Sequence, residues 1–140
     1  MFTIRKQFDF SAAHQLDMLP PEHPCSKLHG HNYIVILELR SETLNEVGFV
    51  DDYRSLAPFK KYIDDVYDHK NLNDFVDQPT AELLAKRLFN IWKSDFKHLW
   101  AVEVCETPKT IARYSPYEID WRMVLNSKDL DVILKRLEDE

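Results

Sequence analysis

The first ten residues alternate. Phe2, Ile4, Phe8 and Phe10 fall on one face of an extended chain, and Thr3, Arg5, Gln7 and Asp9 fall on the other. Period-2 alternation predicts a half-buried strand, whose apolar face needs a cover from elsewhere in the fold. A second run, Tyr33 to Leu39, is more continuously apolar and predicts a more fully buried strand. Pro20, Pro21 and Pro24 make the stretch between them a loop. Leu56, Phe59, Ile63 and Val66 then recur at helical spacing; Pro58 fits only a first turn, which points to Ser55 as the N-cap. Thr80, after Pro79, opens a second helix with Leu84, Leu88 and Ile91 as its buried stripe. Ala101 to Thr107 and Thr110 to Ser115, joined at Pro108-Lys109, read as a hairpin. The order β-β-α-α-β-β defines an α+β domain with antiparallel strands, residues 1–116. Residues 117–140 form an extension with Trp121 and a helix from Ser127. Its Leu130, Ile133 and Leu137 pack on the same domain or against another subunit.

The 140 residues suit one domain. No segment reaches the apolar length of a membrane span and no signal-peptide pattern opens the chain, so a cytoplasmic, membrane-free protein is expected. Its two cysteines, Cys25 and Cys105, do not make a disulfide framework. A net charge of -6 argues against general nucleic-acid binding, and the two glycines exclude a glycine-rich phosphate loop.

The chemistry concentrates near the start. In His29-Gly30-His31 an extended chain would point both imidazoles to one face, and Gly30 between them removes a side chain where backbone could approach. His14, ending the first strand, could join them as three nitrogen ligands to one Zn²⁺ with a fourth position open, the mark of a catalytic site. A His-x-His pair alone is weak evidence, and His23 and His98 are assigned no chemical role. Cys25, four residues before the pair, is either a packing cysteine or a thiol whose thiolate a nearby cation favours. Strand parity puts Glu106 in line with Val102 and Val104, with Glu103 and Cys105 on the other face. A partly buried Glu106 needs a protein cation or a ligand with paired N–H donors. Asp68-His69 reads locally as a helix C-terminus finished by Asn71, or as a polarised acid/base pair.

Taken together, Phe10-Ser11-Ala12-Ala13-His14, Cys25-x-x-x-His29-Gly30-His31-Asn32-Tyr33, Asp68-His69-Lys70-Asn71-Leu72-Asn73, Pro79-Thr80-Ala81-Glu82 and Glu106-Thr107 resemble the 6-pyruvoyltetrahydropterin synthase / 6-carboxytetrahydropterin synthase family. The five segments occur in the family's order and span the chain to about Pro116. The resemblance implies the tunnelling fold: a four-stranded antiparallel sheet with two helices on one face, assembled as a homohexamer of two stacked trimers with active sites at subunit interfaces. It implies Zn²⁺ on His14, His29 and His31, Cys25 as general base, and Asp68 and His69 completing the catalytic set from a neighbouring subunit. Glu106 would anchor a pterin ring, with Thr80 and Thr107 as secondary contacts.

The three-residue interval between Cys25 and His29 resembles the carboxytetrahydropterin branch. That branch turns 7,8-dihydroneopterin triphosphate into 6-carboxytetrahydropterin, acetaldehyde and triphosphate, on the route to 7-deazaguanine compounds such as queuosine. The alternatives are a pyruvoyl-forming synthase on the same substrate and a non-catalytic pterin-binding protein of this fold.

Overall fold

The computed structural model describes residues 1–118. The N-terminal alternation becomes β1, Phe2–His14, and the second apolar run becomes β2, His29–Ser41. They pair antiparallel along their whole length, from Phe2 opposite Ser41 to His14 opposite His29. Both strands are longer than the apolar runs suggest, because their polar ends carry the site residues rather than core.

The hairpin is β4, Leu99–Thr107, and β5, Thr110–Tyr114. A further strand, β3, Lys70–Asn71, runs parallel to β1, with Lys70 opposite Ala12 and Asn71 opposite Ala13. The sheet therefore has five strands, in the order β3-β1-β2-β4-β5, where four were expected. Two residues are too few to carry an alternation, so β3 leaves no periodic trace.

Both helices cover one face of the sheet. α1 spans Ala57–Tyr62 and α2 spans Ala81–Trp92. Phe59 and Ile63, with Leu84, Leu88 and Phe89 of α2, pack into one core with Phe8, Phe10, Val35, Leu37, Val102 and Val104. Thr80 caps α2 as expected, its hydroxyl accepting from the Leu83 N–H at 3.2 Å. Ser55 does not cap α1. Asp52 instead caps a 3₁₀ turn, Tyr53–Leu56, accepting from the Arg54 N–H, and α1 follows with Pro58 in its first turn. Ile91 is exposed rather than buried, because the apolar arc of α2 centres on Ala85, Leu88 and Trp92 and leaves Ile91 on its margin.

After α1 the backbone widens into a π-turn over Ile63–Tyr67, closed by the Asp68 N–H on the Ile63 carbonyl at 3.0 Å. Such turns recur at functional sites. The helix thus ends at Tyr67, and Asn71 caps the next 3₁₀ turn instead of ending α1.

The opposite sheet face carries charge. Glu38 and Glu103 are buried there, and Arg113 donates to Glu38 at 2.6 Å and to Glu103 at 2.7 Å. Arg5 pairs with Glu103, and Arg40 with Glu38. Burial alone would raise the Glu38 carboxyl, but the hydrogen bonds of Arg113 and Arg40 outweigh it and hold it below the ordinary value.

No helix among the described residues is long and apolar enough to cross a membrane. The expected extension, apart from Tyr117 and Glu118, lies outside the described residues, as do Trp121 and the helix from Ser127.

Candidate active site

Strand register builds the histidine group. His14 and His29 are the terminal cross-strand pair of β1 and β2, and His31 stands opposite Ala12, so all three imidazoles share the helix-covered face. Ala12 leaves room there that a larger side chain would fill. One ring nitrogen from each histidine lies within 4.8 Å of the others, and His14 is only 1% exposed. A methyl group at Gly30 would meet nothing closer than the Ala12 carbonyl at 3.5 Å, an ordinary contact, so the chain's own packing does not demand glycine there.

Hydrogen bonds decide which nitrogens are free. His14 Nδ1 lies 2.7 Å from the Pro79 carbonyl oxygen, and His29 Nδ1 lies 2.7 Å from that of Lys27. A carbonyl only accepts, so each Nδ1 carries the proton and each neutral ring presents an unprotonated Nε2. Those two Nε2 atoms face each other at 2.9 Å. Lone pairs so opposed repel unless a cation lies between them. His31 Nε2 is buried with no hydrogen-bond partner among the described residues. Burial pushes the His31 ring below the ordinary histidine range, with Glu106 opposing and His14 and His29 adding to the effect. Three inward-facing Nε2 atoms form a donor set for Zn²⁺, which takes imidazole nitrogens as ligands. Carbonyl partners on Nδ1 are also the outer support that zinc-bound histidines ordinarily have.

Glu106 faces the group. Its two carboxylate oxygens stand 3.9 Å from Nε2 of His14 and of His31, too far for hydrogen bonds. Among the described residues it pairs with no lysine or arginine, leaving it available to a ligand's N–H edge. Thr107 beside it lines the same groove with Pro108, His31 and Asp68. The Thr107 hydroxyl is 2.9 Å from that of Thr110, which stiffens the β4–β5 turn. Thr80, by contrast, spends its acceptor on the α2 cap and holds the corner from which the Pro79 carbonyl reaches His14.

Asp68 and His69 are sewn to β1. Asp68 accepts from the Ser11 N–H at 2.9 Å, and the His69 N–H donates to the Ser11 carbonyl at 2.6 Å. His69 has φ of 58°, a left-handed conformation uncommon for a residue with a side chain, of the kind retained at functional positions. Its Nδ1 sits 2.9 Å from Asp68 Oδ2, and its side chain is 81% exposed. The Ser11 N–H, then His69, holds the Asp68 carboxyl below the ordinary range. His69, Lys70 and Asn71 line an open groove with Ser11, Gly30 and His31.

Cys25 lies on a 3₁₀ turn, Pro24–Ser26, whose backbone is anchored by the Cys25 N–H to His23 Nδ1 and by the Leu16 N–H to the Cys25 carbonyl. Its sulfur is not one of the converging ligand atoms. His98 pairs with Asp51 at 2.8 Å, away from the site. Asn73, to which no sequence pattern assigns a role, clamps the chain just past His14 by accepting from the Gln15 N–H and donating to the Gln15 carbonyl, both at 2.8 Å.

A sheet whose four long strands run antiparallel, with two helices on one face and this histidine group at its strand ends, is the tunnelling-fold architecture. The solved 6-pyruvoyl tetrahydropterin synthase of Caenorhabditis elegans superposes on this chain with a TM-score of 0.71 at 31% identity, covering 81% of this chain and 94% of that one. The chain belongs to the 6-pyruvoyl tetrahydropterin synthase family, whose model matches residues 3–117. Among its relatives, the 6-carboxy-5,6,7,8-tetrahydropterin synthase of Synechocystis is 36% identical over 81% of this chain and 93% of its own length. The Bacillus subtilis protein of the same name is 30% identical over 82% and 86%.

Proposed function

We propose that this chain is a zinc-dependent 6-carboxy-5,6,7,8-tetrahydropterin synthase, a carbon–carbon lyase. With one water consumed, it converts 7,8-dihydroneopterin triphosphate to 6-carboxytetrahydropterin, acetaldehyde and triphosphate. The observation that carries the reading is the opposed Nε2 pair of His14 and His29, with His31 and the Glu106 carboxylate beside it, in a chain whose relatives bear that name.

His14, His29 and His31 would hold the zinc, which when bound supplies Lewis-acid polarisation of a side-chain oxygen. Glu106 accepts the paired N–H groups of the pterin's amino-pyrimidine edge and sets the ring's orientation, with Thr107 and Thr80 at its margin. Cys25, as thiolate, takes a proton from the substrate side chain. Asp68 orients His69 through its Nδ1, so that His69 can deliver or relay a proton. Lys70 and Lys27 are the nearest sequence neighbours with charge suited to the triphosphate. The outward, left-handed pose of His69 supports action on a neighbouring subunit's substrate within a homohexamer. A cytoplasmic setting, which two free cysteines suit, and a place in 7-deazaguanine and queuosine synthesis belong to the same reading.

The test is product identification by mass spectrometry with zinc-loaded protein and 7,8-dihydroneopterin triphosphate. Carboxytetrahydropterin with acetaldehyde is the expected result. Pyruvoyltetrahydropterin without acetaldehyde would replace it with the sister activity, the one for which the similar C. elegans protein is named. Absence of turnover would leave a pterin-binding protein.

A further inference from the structure

Tyr33 follows His29 and His31 on the same face of β2, is buried, and puts its hydroxyl 3.1 Å from Nδ1 of His14. That is the nitrogen whose proton goes to the Pro79 carbonyl. The Tyr33 ring stacks on Phe10, centroids 4.9 Å apart and planes 7° from parallel, and lies edge-on to both His14 and His31. We infer that Tyr33 is a positioning residue for the metal centre: beside the Pro79 carbonyl, which sets the tautomer, its hydroxyl brackets Nδ1 of His14 and holds the ring plane that presents Nε2.

The argument is geometric. His14 comes from β1 whereas His29 and His31 come from β2, so the three nitrogens converge only if the β1 ring is held relative to β2. The Pro79 carbonyl reaches His14 from the corner before α2, outside the sheet. Tyr33 is the contact to that ring nitrogen that originates on β2, in rigid register with the other two ligands. Its own ring cannot wander, because Phe10, two pairs along β1 from Ala12, stacks against it. Removing the hydroxyl leaves the Nδ1–H one of its two oxygen neighbours and lets the imidazole rotate about its bond to the backbone. Partners of this kind typically contribute about 10- to 100-fold to metal affinity; with the carbonyl retained, the loss expected here is about 3- to 10-fold.

This inference rests on the metal-centre reading, and the experiment separates the two. Co²⁺ is titrated into the full chain and into Tyr33→Phe while the visible absorption band is followed, with circular dichroism reporting the fold. Wild type is expected to bind one equivalent, and Y33F to bind about 3- to 10-fold more weakly with a shifted band. A wild-type chain that binds no Co²⁺ sinks the metal-centre reading and this inference with it. Equal affinities and identical bands overturn the inference alone. If Y33F does not fold, the ¹⁵N spectrum of zinc-loaded wild type decides. A protected Nδ1 proton on His14 in contact with the Tyr33 ring supports the role, and metal bound through Nδ1 overturns it.

Discussion

His14 and His29 aim their Nε2 atoms at each other across 2.9 Å, while each ring's Nδ1–H donates to a backbone carbonyl. Without a cation this arrangement is self-repelling; with one it is a ligand pair. Zinc should therefore raise thermal stability, and a chelator should lower it. At a free metal concentration 100-fold above Kd the linked stabilisation is about 2.7 kcal/mol. His29→Ala should lose both the zinc and this response, as read by metal analysis and melting curves. Full zinc occupancy in H29A would remove His29 from the ligand set.

Cys25 sits on a separate 3₁₀ turn and is not one of the converging ligand atoms. Cys25→Ala should leave zinc bound while turnover falls by about 10²-fold or more, the contribution of a positioned general base. Metal analysis alongside a triphosphate-release assay checks both halves. Activity surviving largely intact would take the base role away from Cys25.

Asp68 ties two things together, the Ser11 N–H and the His69 ring. Its carboxyl is held below the ordinary range, first by the Ser11 N–H and then by His69, so it stays ionised throughout neutral pH. Asp68→Asn keeps the shape but removes the charge, and kcat should drop by about 10²-fold. Because Asp68 does not titrate between about pH 6 and 9, that drop should be the same across the range. A loss confined to one end of the profile would contradict the assignment.

The charged face of the sheet makes a stability prediction. Glu38 is buried, and its carboxyl is held below its ordinary value although burial opposes this, because Arg113 and Arg40 donate to it. A folded-state value below the unfolded one means ionised Glu38 stabilises the fold above the unfolded pKa of about 4.3. That contribution fades as pH falls through the lower folded value. Glu38→Gln should cost about 1–3 kcal/mol at neutral pH, less than a fully buried pair because the arginines are partly exposed. Urea melts of the two proteins should converge once the pH lies below the carboxylate range.

Most expectations that came from period and parity survive, the buried Ile91 and the Ser55 cap excepted. Alternation from Phe2 to Phe10, the Thr80 cap and the face shared by Val102, Val104 and Glu106 are local properties of the chain, and each appears where the pattern puts it. What stayed hidden depends on distant partners. The Pro79 carbonyl on His14, the Asn73 clamp on Gln15 and the Arg113 pairing with Glu38 each join segments far apart in sequence, through groups that many residues could supply. The π-turn is hidden for a different reason. One extra residue in the last turn before Asp68 barely disturbs a helical pattern, yet it turns the chain so that His69 leaves in a left-handed conformation.

The terminal pairing of His14 with His29 has a further consequence. The excursion from Gln15 to Leu28 leaves and re-enters the sheet at two adjacent histidines, like a bag hung from a closed clasp. Its length can change by insertion or deletion without shifting either histidine, because the strand register, not the loop, sets their separation. The thiol, however, travels with the loop. On the proposed roles, metal binding and the position of the reacting base are thus separable inheritances in this architecture. One can be conserved while the other is redrawn, and changes in the bond that breaks can arise without rebuilding the ligand set.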